Sequence, residues 1–112
     1  MEVLNSVKVE QLGSEIGADN VPVLLEIFLG ELAQYIANLQ QCSSNQDAYL
    51  REISHALKSS AASFGAEALC ALANEYDAAG KSGEVLNADQ HKQQMLSLLN
   101  ETEQRYKDLL SQ

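Results

Sequence analysis

Apolar residues recur along this chain at intervals of three and four, the period of a helix face. Leu25, Phe28, Leu29, Leu32, Ile36 and Leu39 keep that spacing, and Leu24 and Ile27 widen the stripe, which predicts a long helix with two packing neighbours. Pro22 falls in its first turn, where a missing N–H costs nothing, and Asp19 or Asn20 is placed to cap it. Upstream, Val7, Leu12 and Ile16 mark a short amphipathic helix ended by Gly17. A polar turn follows Cys42, after which Leu50, Ile53, Leu57 and Phe64 define a third helix, running to Ser63 and broken by Gly65. Leu69, Leu72, Ala73 and Tyr76 predict a fourth, from Ala66 to Ala79, closed by the turn Gly80-Lys-Ser-Gly83. Met95, Leu99, Thr102, Tyr106 and Leu109 predict a fifth, from Ala88 to Leu110. Long helices joined by short loops imply an all-α fold: an antiparallel four-helix bundle, with the short N-terminal helix capping one end. No repeat, low-complexity tract or linker interrupts residues 1–112, which read as a single domain.

Composition supports that architecture, because 17 Leu and 14 Ala outnumber 6 Val, 4 Ile and 1 Thr. Charge narrows the function. Seven basic residues against 16 acidic give −9, which argues against nucleic acid or an anionic membrane as the principal partner. No uninterrupted apolar run approaches the roughly 18 residues of a membrane span, and the first residues lack signal-peptide character, so a cytoplasmic protein is expected. Cys42 and Cys70 match no ligand spacing and read as reduced thiols.

One residue stands apart. At about 100° per residue, the third helix sets His55 opposite Leu50, Ile53, Leu57 and Phe64, facing solvent. Arg51 lies one turn before it, Lys58 and Ser59 one turn after, and Ala62 two turns after. An acidic chain thus gathers two cations around one imidazole, although a surface histidine with ordinary helix-face charges would look the same.

The segment from His55 to Leu69 decides between these readings. His55, Leu57, Lys58, Ser59, Ser60, Phe64, Gly65, Ala66 and Leu69 stand without gaps where the histidine-containing phosphotransfer (HPt) signature, H-x-L-K-[GS]-[SA]-x-x-x-[FLI]-G-A-x-x-L, requires them. The run Ile16 to Leu29 also resembles the family's entry into its second helix. Ser59 stands where many members carry glycine, and it still leaves a small surface beside the imidazole. The resemblance implies a phosphorelay intermediate in two-component signalling, and the full-chain likeness implies quorum sensing. His55 would accept a phosphoryl group from a receiver-domain aspartate of a hybrid sensor histidine kinase and pass it to the aspartate of a response regulator. Lys58 and Arg51 would stabilise the phosphoryl charge, and Ser59 and Ala62 would form the docking surface. Catalysis would come from the partner's aspartate, Mg²⁺ and lysine, with no cofactor, metal or kinase activity in this chain, which is expected to be a monomer.

The chemistry agrees, since neutral imidazole is a good nucleophile and, once phosphorylated, a good leaving group. A helical adaptor that docks receivers without carrying phosphate is the alternative. A hydrolase using His55 is disfavoured, because no second acid or base can be set beside it from spacing. Gly80-Lys-Ser82 resembles the end of a phosphate-binding loop, but the required first glycine would fall at Glu75, inside the fourth helix, and no strand precedes it, so it reads as a turn with a helix-ending glycine. His91 has no motif around it, and with His55 makes too few ligands for a metal site. Tyr35, Tyr49, Tyr76 and Tyr106 lie on helical stripes and are expected at core edges.

Overall fold

The computed structural model describes all 112 residues and is built entirely of helices: α1 (Ser6–Ile16), α2 (Val21–Gln41), α3 (Gln46–Phe64), α4 (Glu67–Lys81) and α5 (Asp89–Leu110), with a single 3₁₀ turn at Ala18–Asn20. Helices α2 to α5 form the bundle, in which α3 packs on α4, α5 on α2, and each of these pairs on the other. α1 packs on α2 and α3 instead.

The stripes of the sequence become the core. Leu25, Phe28, Leu32, Ile36 and Leu39 of α2 meet Leu50, Ile53 and Leu57 of α3, Leu69, Leu72 and Ala73 of α4, and Met95, Leu96, Leu99 and Tyr106 of α5. At the end covered by α1, Phe28 stacks on Phe64 with centroids 4.6 Å apart and meets Tyr106 edge-on at 5.2 Å. The Tyr106 hydroxyl donates to the Phe64 carbonyl at 2.6 Å, tying α5 to the last residue of α3. Tyr76 and Tyr106 are therefore buried in the core rather than at its edge.

Five local expectations need correction. Ile27 is 64% exposed and Val7 58%, because α1 offers Val9 to the core and nothing covers the outer flank of α2. Asn20 occupies the N-cap position of α2 without capping it, since its amide turns back to the Ile16 carbonyl at 2.7 Å. α4 continues through Gly80 to Lys81, and the glycine with positive φ in the following turn is Gly83. Gly80 sits inside the helix because the Arg51 stem packs against it; a Cβ there would lie 3.1 Å from Arg51 Cγ. Finally, Ala18–Gln41 is long and apolar enough to cross a membrane by length and composition alone. A search for one unbroken apolar run misses this, although five of its large side chains are committed to the bundle core.

The joint between α3 and α4 sets how these two helices face each other. Gly65 takes a left-handed conformation, φ 79°, and closes α3 with paired bonds from the Gly65 N–H to the Ala62 carbonyl and from the Ala66 N–H to the Ala61 carbonyl. The N-terminal segment lies across this joint: the Asn5 N–H donates to the Gly65 carbonyl and the Ala68 N–H to the Glu2 carbonyl, each at 2.8 Å. The second bond satisfies one of the open amides of the first turn of α4, which has no side-chain cap. α3 and α4 are thereby held side by side along their length.

Candidate functional site

His55 stands mid-way along α3 on the side away from the core, with 71% of its side chain exposed. Ile53 and Ser54 before it and Leu57 after it are buried, so the backbone beneath the imidazole is fixed by packing. Ser59 and Ala62 are placed one and two turns further along the same face, Ser59 and Ala62 bearing only small side chains. Ala62 lines a groove of about 350 Å³ with Met1 and with Glu67, Cys70, Ala71 and Asn74 of α4.

The residue that spacing along α3 does not reveal is Asp77. It lies on the inner side of α4, only 8% exposed, and its carboxylate gathers three partners. Oδ1 faces His55 Nδ1 at 3.3 Å, while Oδ2 accepts from Lys58 Nζ at 2.7 Å and lies 2.8 Å from Lys81 Nζ. Lys58, then Lys81, then His55 hold the carboxyl well below the usual carboxylate range, against the opposing effect of burial. The same contact pushes the Lys81 ammonium above its ordinary value. A signal for Asp77 does exist in the sequence: it follows Ala73 by four and Tyr76 by one, which puts an acidic residue on the packed side of an amphipathic helix.

Lys58 is therefore beside His55 by way of Asp77. Arg51 is held elsewhere. Its Nε lies 3.3 Å from Asp47 Oδ1 and its guanidinium donates to the Glu84 carbonyl at 3.1 Å, within a group that fixes the loop between α4 and α5. Asp47 also accepts from the Leu86 N–H at 2.7 Å, and the buried Gln46 amide donates to the carbonyls of Leu86 and Ala88. His91 serves the same region, its Nδ1 accepting from the Ala88 N–H at the start of α5. The Cys42 and Cys70 sulfurs form no disulfide.

Chemically, the site offers an accessible imidazole whose Nδ1 faces a carboxylate. With its proton on Nδ1 the ring would donate to Asp77 Oδ1 and keep the Nε2 lone pair available as a nucleophile. Two ammonium groups on long, partly exposed stems stand close enough to meet an added anion.

Comparison with known proteins shows the family. A model of the Hpt domain matches residues 23–109. The phosphorelay protein LuxU of Vibrio vulnificus is 53% identical over 95% of this chain and 93% of its own length. LuxU of Vibrio cholerae is 50% identical over 97% of each, and LuxU of Vibrio harveyi 50% identical over 95% of this chain and 94% of that one. No solved structure matches. With residues 23–109 matched by the family model and most of its length shared with these relatives, the chain belongs to the Hpt domain family and is a phosphotransfer intermediate of two-component signalling.

Proposed function

We propose that His55 is the phosphoacceptor of a quorum-sensing relay. It takes a phosphoryl group from a receiver aspartate of a hybrid sensor histidine kinase and returns it to the aspartate of a response regulator. The observation that carries this reading is an exposed imidazole, inside the family's motif, with Nδ1 turned to the Asp77 carboxylate. In the accepting step the Nε2 lone pair forms the N–P bond as the O–P bond of the receiver's acyl phosphate breaks, its electron pair staying on the aspartate. The Nδ1 proton remains between the ring and Asp77 throughout. Lys58 offsets the incoming charge by a charge-assisted hydrogen bond. Arg51, committed to Asp47 and the Glu84 carbonyl, holds the α4–α5 loop rather than the phosphoryl group.

A receiver brings its aspartate to bonding distance only by lying along the strip that carries Ser59 and Ala62, so that strip is the docking surface. The chain supplies an oriented nucleophile and cations, and the receivers supply catalysis. We read residues 1–112 as one cytoplasmic domain acting as a monomer, with no metal of its own and no role at nucleic acid or membrane.

The test is incubation with a phosphorylated receiver carrying radiolabelled phosphate. Label is expected on wild type at His55 and none on His55→Gln, whose stability should stay within about 0.5 kcal/mol of wild type because the side chain is exposed. Label mapping to His91 would overturn the assignment. Binding of the receiver without label would favour the adaptor alternative, and self-labelling from ATP and Mg²⁺ alone would contradict a carrier that depends on its partners.

A further inference from the structure

The site combines a largely buried anion with more exposed cations on long stems. Asp77 is packed on the inner side of α4 and is 8% exposed, so its carboxylate cannot swing away from His55. Lys81, by contrast, exposes 65% of its side chain and Lys58 30%, and both ammonium groups rest on the same oxygen, Oδ2. A phosphoryl group on Nε2 adds up to about two negative charges one ring's width from that carboxylate, offset in part by the positive charge that the ring carries while it keeps its Nδ1 proton. The lysines can follow the new charge on their flexible stems, and Asp77 must remain and repel it.

We propose that Asp77 sets the transfer potential of the phosphohistidine: it keeps Lys58 and Lys81 beside His55 while the imidazole is free, and opposes the phosphoryl charge once attached, so that phospho-His55 gives the group up readily. Lys81 thereby joins Lys58 among the cations that meet the phosphoryl group. The covalent step is unaltered. In donation the N–P bond breaks with its electron pair returning to Nε2, while a carboxylate oxygen of the accepting aspartate forms the new O–P bond. Lysines alone beside the imidazole would retain the group, whereas a relay has to let it go. The inference rests on His55 being the phosphoacceptor.

The experiment measures how label divides at equilibrium between a phosphorylated receiver and this protein, for wild type, Asp77→Asn and Lys81→Gln. Asparagine keeps the shape of the side chain and an acceptor oxygen toward Nδ1 while removing the charge. Asp77→Asn is expected to move the equilibrium toward phospho-His55 by about fivefold, the scale of one unit charge removed near a phosphoryl group at a partly exposed site. Lys81→Gln is expected to move it the other way, by about threefold. A merely structural role would lower labelling in both variants, so the opposite signs are diagnostic. An Asp77→Asn equilibrium within twofold of wild type, or displaced toward the receiver, overturns the proposal. If Asp77→Asn does not fold, Lys81→Gln decides, because its side chain is exposed: unchanged or increased phospho-His55 overturns the proposal. Wild type that takes no label at His55 would instead overturn the relay reading, and this proposal with it.

Discussion

Replacing Gly65 by alanine tests whether the α3–α4 joint holds the two halves of the site in register. Gly65 has φ 79°, a region that costs an L residue about 1–2 kcal/mol. A Cβ there would also stand 2.8 Å from both the Asn5 carbonyl oxygen and Lys8 Cβ, so the N-terminal segment and the start of α1 must move. That movement loosens the bonds from the Asn5 N–H to the Gly65 carbonyl and from the Ala68 N–H to the Glu2 carbonyl, each worth about 1 kcal/mol net. Together these give a loss of about 2–4 kcal/mol, a large share of the roughly 5–15 kcal/mol typical of a small domain. At about 2.1 cal/mol/K per residue of unfolding entropy, Tm should fall by about 9–17 °C, read by circular dichroism with urea melts for the free energy. Gly83→Ala is the internal control, because Gly83 has φ 90° and a methyl group there would meet nothing within 4 Å. That variant meets only the backbone penalty, about 1 kcal/mol after the compensating loss of unfolded-state freedom. Equal losses in the two variants would refute the collision, and with it the idea that the N-terminal segment braces the joint.

Three further outcomes are expected. Ala62→Glu should slow transfer from a phosphorylated receiver at least about tenfold, or about 1.4 kcal/mol of transition-state free energy, with native circular dichroism; an unaltered rate below saturation moves the docking surface elsewhere. Arg51→Ala should lose about 1 kcal/mol of stability while transfer rates stay within about twofold of wild type, since its partners are Asp47 and the Glu84 carbonyl; a large loss of transfer in a folded variant would return it to the phosphoryl site. Lys58→Ala should slow transfer or shorten the life of the phosphohistidine, measured in both directions with labelled receiver, and unchanged values would remove Lys58 from the site.

Much of the fold is legible in the sequence because it depends on spacing within single helices. Met95, Leu99, Thr102 and Tyr106 step by threes and fours, and all four are buried. Ile27 obeys the same arithmetic and is exposed, because periodicity gives the width of an apolar stripe but not where its neighbours stop covering it. Gly80 departs from expectation for a related reason. By propensity it ends a helix, yet the contact that favours its small size comes from Arg51 on another element. Asn20 has the residue type of a cap, but the 3₁₀ turn before α2 offers its amide the Ile16 carbonyl instead.

The candidate site divides along the same line. His55, Lys58, Ser59 and Ala62 share one face of α3, so their relation follows from positions in the chain, about 100° apart per residue. Asp77 and Lys81 come from α4, and their relation to His55 depends on how two helices are set against each other, which the motif from His55 to Leu69 stops short of. Helix periodicity nonetheless raises a question at Asp77. A carboxylate one turn beyond Ala73, on the side that also carries Tyr76, is costly to bury unless something pairs with it. The chain has seven basic residues, and two of them, Lys58 on the facing helix and Lys81 four residues on, are the groups that pair with it. A buried acid on the inner side of a helix therefore predicts cations across the helix interface, and in this chain it leads from the packing of the bundle to its histidine.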